Sequence, residues 1–274
     1  GESGLFLACQ NNHLSVVKVL LAYPETDVNQ KDFSERTPIF RSSQLGRYEI
    51  TLELLADERI QKSLINTDTG ETPLSIAVWE GNLDVAIAFL EDGRVDCNYS
   101  EYPKGRNPFF RACECGYIRL VKEFLKLKQL KCNAYDQQGK SPLGAACAGN
   151  HLEIVKELLA DPRVQLAGTK NWHKPALFIA CGESKPETVS ALLQDPRASL
   201  SVEDRNQMSP FQNACMRGNA DVVSLLLEEK VVELDINHKD KDNRTGLSLA
   251  AEMGHTDICL MVLQDERTTI LDSV

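Results

Sequence analysis

Nothing in this sequence is long and apolar enough to cross a bilayer. Unbroken apolar runs such as Ile258–Leu263 stop at six residues, against the roughly 20 that a helical span requires. A basic excess is missing too. With 40 acidic and 30 basic residues the formal charge is −10. That argues against nucleic acid, whose binding rests on neutralising phosphates with a basic face, and against an anionic membrane surface. No charged-then-apolar leader opens the chain and no initiator Met precedes Gly1, so the front end is expected to be cut or processed. Also absent are a Gly-rich phosphate loop in strand-to-helix context, a nucleophile elbow and an H-E-x-x-H pair. Acidic pairs are dispersed, as on solvated helix faces. No catalytic residue, metal or cofactor is expected. What is present, 42% hydrophobic and 26% charged residues, describes a soluble folded chain, long enough for one or two domains.

The nine cysteines are too sparse and too odd in number for a disulfide scaffold. Their placement is informative. Cys9, Cys113, Cys147, Cys181 and Cys215 each follow an alanine, and the last four are spaced 34 residues apart. One thiol per repeated layer cannot close a zinc site with ligands about 2.3 Å from the ion when stacked helices lie about 8–10 Å apart. The ladder is therefore predicted to be buried packing in a reducing, cytoplasmic environment.

The cysteine period exposes a repeat running through the whole chain. Thr37-Pro38-Ile39, Thr72-Pro73-Leu74, Asn107-Pro108-Phe109, Ser141-Pro142-Leu143 and Ser209-Pro210-Phe211 are copies of one start signal, with degenerate copies at Ser3, Pro175 and Thr245. Each reads as an N-cap followed by Pro in the first helical turn. Four residues past the repeat's alanine stands Gly46, Gly81, Gly116, Gly218 or Gly254, with Asn12 and Asn150 in two other copies. These residues tolerate the left-handed conformation that ends a helix. A second amphipathic helix follows, as in Leu152–Leu159, with an acidic residue in its first turn. A polar stretch then leaves room for a projecting finger.

These features resemble ankyrin repeats, and Asn133–Leu143 is similar to the family's finger and turn pattern at every defining position. The resemblance implies an all-α ankyrin-repeat solenoid of stacked helix-turn-helix units with projecting fingers. One domain spans 1–274, with repeats starting near 3, 37, 72, 107, 141, 175, 209 and 245. One departure stands out. The family's T-P-L-H-x-A box usually carries His, whereas this chain has Phe6, Phe40, Ser75, Phe110, Gly144, Phe178, Gln212 and Ser248 there. The hydrogen-bonding role of that His is thus expected to be lost and replaced by packing. The fingers before Thr72 and Pro175 have lost most of the pattern.

Two further regularities are read as structural. Asp-x-Arg recurs at Asp57/Arg59, Asp92/Arg94, Asp161/Arg163, Asp195/Arg197 and Asp265/Arg267. One Asp per Arg makes the stripe neutral, so an Asp/Arg ladder between neighbouring turns is preferred to an anion-binding stripe. His13, His151 and His255 all fall at one topological point, the turn between helices. That repetition signals architecture and not catalysis.

What remains is recognition. The resemblance implies that a protein or peptide partner binds the concave face of first helices and fingers, through positions one before and two or three after the repeat alanine. Repeats five and six are nearly bare there (Ala145, Ala148, Gly149, Gly182), which suggests a shallow depression. Around it stand Trp79, Arg111 and Glu114 on one side and Asn213, Met216 and Arg217 on the other, with the finger residues Tyr102, Tyr135 and Trp172 at the rim. Trp and Arg are common binding hot spots. The basic cluster Lys122, Lys126, Lys128 and Lys131 is read as a solvated helix exterior. At the ends, Leu260 and Met261 stand where the fifth repeat has Lys156 and Glu157. Free solenoids need polar end faces, so the array is expected to continue or to be covered. A regulatory or targeting segment of a larger protein and a permanent architectural subunit are the rival readings.

Overall fold

The computed structural model describes residues 2–62, 65, 66, 68–100, 105–168, 173–183, 185–228 and 234–269. Among them there are sixteen helices and no strand. The helices alternate as first and second members of each repeat. First helices are α1 (Gly4–Gln10), α3 (Pro38–Gln44), α5 (Pro73–Trp79), α7 (Pro108–Cys115), α9 (Pro142–Ala148), α11 (Ala176–Glu183), α13 (Pro210–Arg217) and α15 (Gly246–Met253). Second helices are α2 (Leu14–Leu21), α4 (Tyr48–Ala56), α6 (Leu83–Asp92), α8 (Ile118–Leu125), α10 (Leu152–Ala160), α12 (Pro186–Leu193), α14 (Ala220–Glu228) and α16 (Thr256–Gln264). The chain divides into two compact units, residues 1–112 with 117–131, and residues 113–116 with 132–274. Each is an all-α repeat stack.

Local chemistry sets the helix boundaries. The side chains of Ser3, Thr37, Asn107 and Ser141 accept a hydrogen bond from the third helical amide at 2.8–3.3 Å. Thr72, Ser209 and Thr245 do the same inside reciprocal capping boxes. At the turn between helices Asn12, Gly46, Gly81, Gly116, Asn150, Gly218 and Gly254 all have φ between 54° and 79°. This is the left-handed conformation their residue types favour.

The thiol ladder is core. Cys9, Cys113, Cys147, Cys181 and Cys215 are buried, and none of the nine cysteines forms a disulfide. Burial pushes the thiols of Cys9, Cys147 and Cys215 up to about 12 and raises those of Cys113 and Cys181 as well. Among the described residues no group of three or more His, Cys, Asp or Glu could hold a metal ion.

Polar ladders bind successive repeats in both units. The turn residue before several second helices reaches back to the carbonyl end of the preceding repeat's first helix. Asn82 Nδ2 donates to the Ser43 and Gln44 oxygens at 2.9 Å, His151 Nε2 lies 3.1 Å from Glu114 O, and His255 Nε2 lies 3.3 Å from Met216 O. Finger asparagines reach forward. Asn29 donates to Arg59 O and accepts from Gln61 N, both at 2.8 Å, and Asn98, Asn133 and Asn237 repeat this bridge.

The Asp-x-Arg pairs do not form a ladder of Asp to Arg between turns. Each Asp holds the Arg of its own turn, as Asp57 holds Arg59 at 2.6 Å. The guanidinium then caps the preceding second helix: Arg59 donates to Leu21 O at 2.7 Å, Arg94 to Leu55 O at 2.9 Å and Arg197 to Leu159 O at 2.7 Å. Positive charge thus meets the negative end of a helix dipole.

The expectation that packing alone replaces the missing His needs correction. Phe6, Phe40, Phe110 and Phe178 are buried as expected, but Gln212 keeps the polar role. Its Nε2 donates to His238 O at 3.0 Å and Arg244 O at 2.6 Å, while its Oε1 accepts from Ser209 N. In the finger before Thr72, part of which lies outside the described residues, Asn66 N still donates to Glu71 O at 2.8 Å. Part of the finger before Pro175 lies outside the described residues.

Candidate protein-interaction surface

In the first unit, α5 ends on Trp79, whose side chain is 37% exposed. The Arg111 guanidinium of α7 lies over the indole, 4.0 Å from the ring centroid. The attraction of a cation to the ring face is worth about 0.5–1 kcal/mol at an exposed site. The structure therefore brings together two of the residues read as hot spots. On the neighbouring first helices Arg41 bonds to Gln10 Oε1 at 3.1 Å and to Gln44 Oε1 at 2.8 Å. Other exposed apolar side chains of this unit are Leu7 on α1, Phe33 and Ile65 on fingers, with Phe33 90% exposed, and Val16, Val19, Tyr48 and Leu52 on the second helices.

In the second unit the expected depression is filled. A Cβ on Gly182 would stand 2.4 Å from Asn213 Nδ2 and 3.2 Å from the Arg217 stem, and one on Gly144 would stand 2.8 Å from Ile179 Cδ1. The small residues serve close approach of α9, α11 and α13. They do not leave room for a ligand. Ala145 is buried, and Gly149 is overlaid by the His151 ring. Asn213 is 5% exposed and donates to Phe178 O at 2.7 Å, which withdraws it from the surface. Met216 packs half-buried on Phe178, Met208 and Leu249. Arg217 is exposed, Glu114 is half-buried, and Glu114 O meets the His151 ring. Tyr135 stacks on His173 with centroids 3.5 Å apart and donates to Ala167 O at 3.3 Å. Tyr102 and Trp172 lie outside the described residues.

The position before the repeat alanine is thus mostly an inter-helix position. Ile76, Ala145, Ile179, Asn213 and Leu249 are all buried there, while Leu7 is exposed and Arg41 and Arg111 are half-buried. Among the lysines, Lys126 pairs with Glu123 at 2.6 Å on an exposed face. Leu260 is exposed on α16, as the pattern implied; Met261, read the same way, is half-buried, and Leu263 is exposed as well. Sequence reasoning missed Lys62. It is buried, with Nζ donating to Leu55 O at 2.8 Å and pairing with Asp92 at 3.1 Å. Its signal was its register, five residues past Asp57, where Cys97 follows Asp92 and Leu200 follows Asp195.

The fold and its ladders define an all-α repeat protein, and comparison with known proteins identifies the class. The model of ankyrin repeats (3 copies) matches residues 5–101, 93–167 and 177–272. The chain belongs to the ankyrin-repeat family. It is 34% identical over 98 residues to the ankyrin repeat protein YahD of Escherichia coli, covering 34% of this chain and 48% of that protein. It is 30% identical over 93 residues to the SMC5-SMC6 complex localization factor protein 1 of Homo sapiens, covering 34% of this chain and 9% of that protein. Ankyrin repeats are generally protein-interaction modules and generally not enzymes. No described helix is long and apolar enough to cross a membrane.

Proposed function

We propose that this chain is a non-enzymatic protein-interaction module whose partner docks on the first-helix face of the first unit. The observation that supports this reading is the half-exposed Trp79 indole with the Arg111 guanidinium stacked on it at 4.0 Å. Aromatic and arginine side chains supply most interface hot spots. The second-helix exteriors present Lys18, Glu49, Lys126 and Glu153, which are costly to desolvate, beside exposed Val16, Val19 and Leu52, but show no such aromatic–arginine pair among the described residues. A reducing compartment is proposed from the buried thiols and the lack of any disulfide. A second reading, a targeting segment within a longer protein, draws on the human relative, a localization factor by its name, of which the match covers only 9%.

Affinity purification from the native source would supply the partner for calorimetric titration. Trp79→Ala and Arg111→Glu should each weaken binding by about 1–3 kcal/mol, and Lys126→Glu should leave it unchanged. Thermal melts check that both variants remain folded, since Trp79 and Arg111 are partly buried. Sensitivity at Lys126 with silence at Trp79 would move the site to the second-helix face.

A further inference from the structure

We propose that the first-helix face of the first unit receives a carboxylate-bearing segment of a partner protein, its acidic group on Gln10, Arg41 and Gln44 and an apolar side chain beside Trp79. This deepens the reading above and rests on it.

The hydrogen bonds of Arg41 carry the inference. Nε donates to the amide oxygen of Gln10 and Nη1 to that of Gln44, at 3.1 and 2.8 Å. With both oxygens turned to the guanidinium, each carboxamide turns its NH2 group away. The half-exposed cluster therefore offers N–H donors: two amide groups and the Nη2 of Arg41. An ionised carboxylate is acceptor-only and is the complementary group.

Charge points the same way. Arg36, Arg59, Arg94, Arg163, Arg197 and Arg267 each meet an aspartate. Arg41 bonds instead to neutral amides, and Arg47 donates to Gln10 O at 3.3 Å. Burial and the charge of Arg36 lower the pKa of Arg41, Asp32 and Glu2 counter this, and Arg47 adds to the lowering. In a chain of net charge −10 this spot carries two guanidinium groups, of Arg41 and Arg47, bonded to neutral oxygens. Exposed Leu7, Phe33 and Trp79 share the unit with the cluster, so the matching ligand is a polypeptide with apolar anchors and not a free anion. A single exposed ion pair alone contributes little, so the apolar anchors must supply the rest.

The test is selection of a random-peptide phage library on the intact chain, followed by fluorescence anisotropy with the synthesised winners. Peptides rich in Asp or Glu together with Leu, Phe or Trp should be enriched. Arg41→Gln should weaken them about tenfold, the scale of one charge-assisted hydrogen bond, Arg41→Lys should weaken them less, and added salt should weaken binding to the wild type. Thermal melts establish that both variants fold. Enrichment of neutral or basic peptides, no enrichment at all, or acidic winners indifferent to Arg41→Gln would overturn the carboxylate assignment. In the first and third cases, loss of binding with Trp79→Ala would keep the docking face. Winners sensitive only to Lys126→Glu would remove both.

Discussion

Lys62 tests how this stack tolerates charge in its interior. The ammonium is buried beside Asp92, itself nearly buried, and the carboxylate is shared with Arg94. Neutralising one partner of a buried pair costs about 3–5 kcal/mol, because the other charge is left uncompensated. Asp92→Asn strands Lys62 with a single carbonyl, Leu55 O, and should lose stability on that scale. Lys62→Met differs in kind. It removes the charge that had to be desolvated, restores an apolar side chain to the place Cys97 holds in the next repeat, and leaves Asp92 paired with Arg94. Its effect should lie within about 1 kcal/mol of zero, and a gain would be unsurprising. The double variant should then be more stable than Asp92→Asn alone, since the stranded charge is gone. Urea unfolding followed by circular dichroism measures all four proteins. If Lys62→Met costs more than Asp92→Asn, the ammonium holds the repeat together by its own bonds and the argument from desolvation is wrong.

Three other outcomes follow from the same structure. Hydrogen bonds from Arg59, Arg163, Arg197 and Arg267 hold Asp57, Asp161, Asp195 and Asp265 below the usual carboxylate range. Their stabilisation should be complete above about pH 4, the unfolded value, and lost as pH falls through the depressed folded values. Urea midpoints that stay flat through that acid range would refute it. Gly182→Ala should lower the melting temperature by an overpacking cost of about 1–3 kcal/mol, although Ala is intrinsically the better helix former by about 1 kcal/mol. A higher melting temperature would restore the depression over repeats five and six. At mildly alkaline pH a disulfide reagent should label half-buried Cys115 and Cys259 well before Cys147, whose thiol is pushed up to about 12. Mass spectrometry of early adducts decides this, and early labelling of Cys147 would contradict the buried ladder.

The parts of the fold that were legible in the sequence are those written in local chemistry. Thr37 followed by Pro38 caps a helix whatever surrounds it, and Gly81 or Asn150 at positive φ ends one. The candidate surface was less legible, because exposure depends on neighbours about a repeat away. Asn213 occupies a register that is open at Leu7, yet Gly182 admits its amide and the side chain is buried. The role assigned to a missing His passed to Gln212 through two carbonyls from a later finger, a contact no local pattern announces. Lys62 resembled an ordinary loop lysine until the repeat register placed it in the core.

The arginine caps give the stack a direction. Arg59 finishes the carbonyl end of α2, Arg197 that of α10 and Arg267 that of α14. In every case the cap arrives from residues translated after the helix that needs it. A chain emerging N-terminus first therefore carries, once each of these helices is made, last carbonyls that await a later repeat, and domains fold in that order on the ribosome. Trimming repeats from the C-terminal end recreates such an open helix, while trimming from the N-terminal end leaves each remaining arginine with its own aspartate. Nested deletions from the two ends should thus be unequal. Each such cap works as the tooth of a zipper, closed only from the C-terminal side.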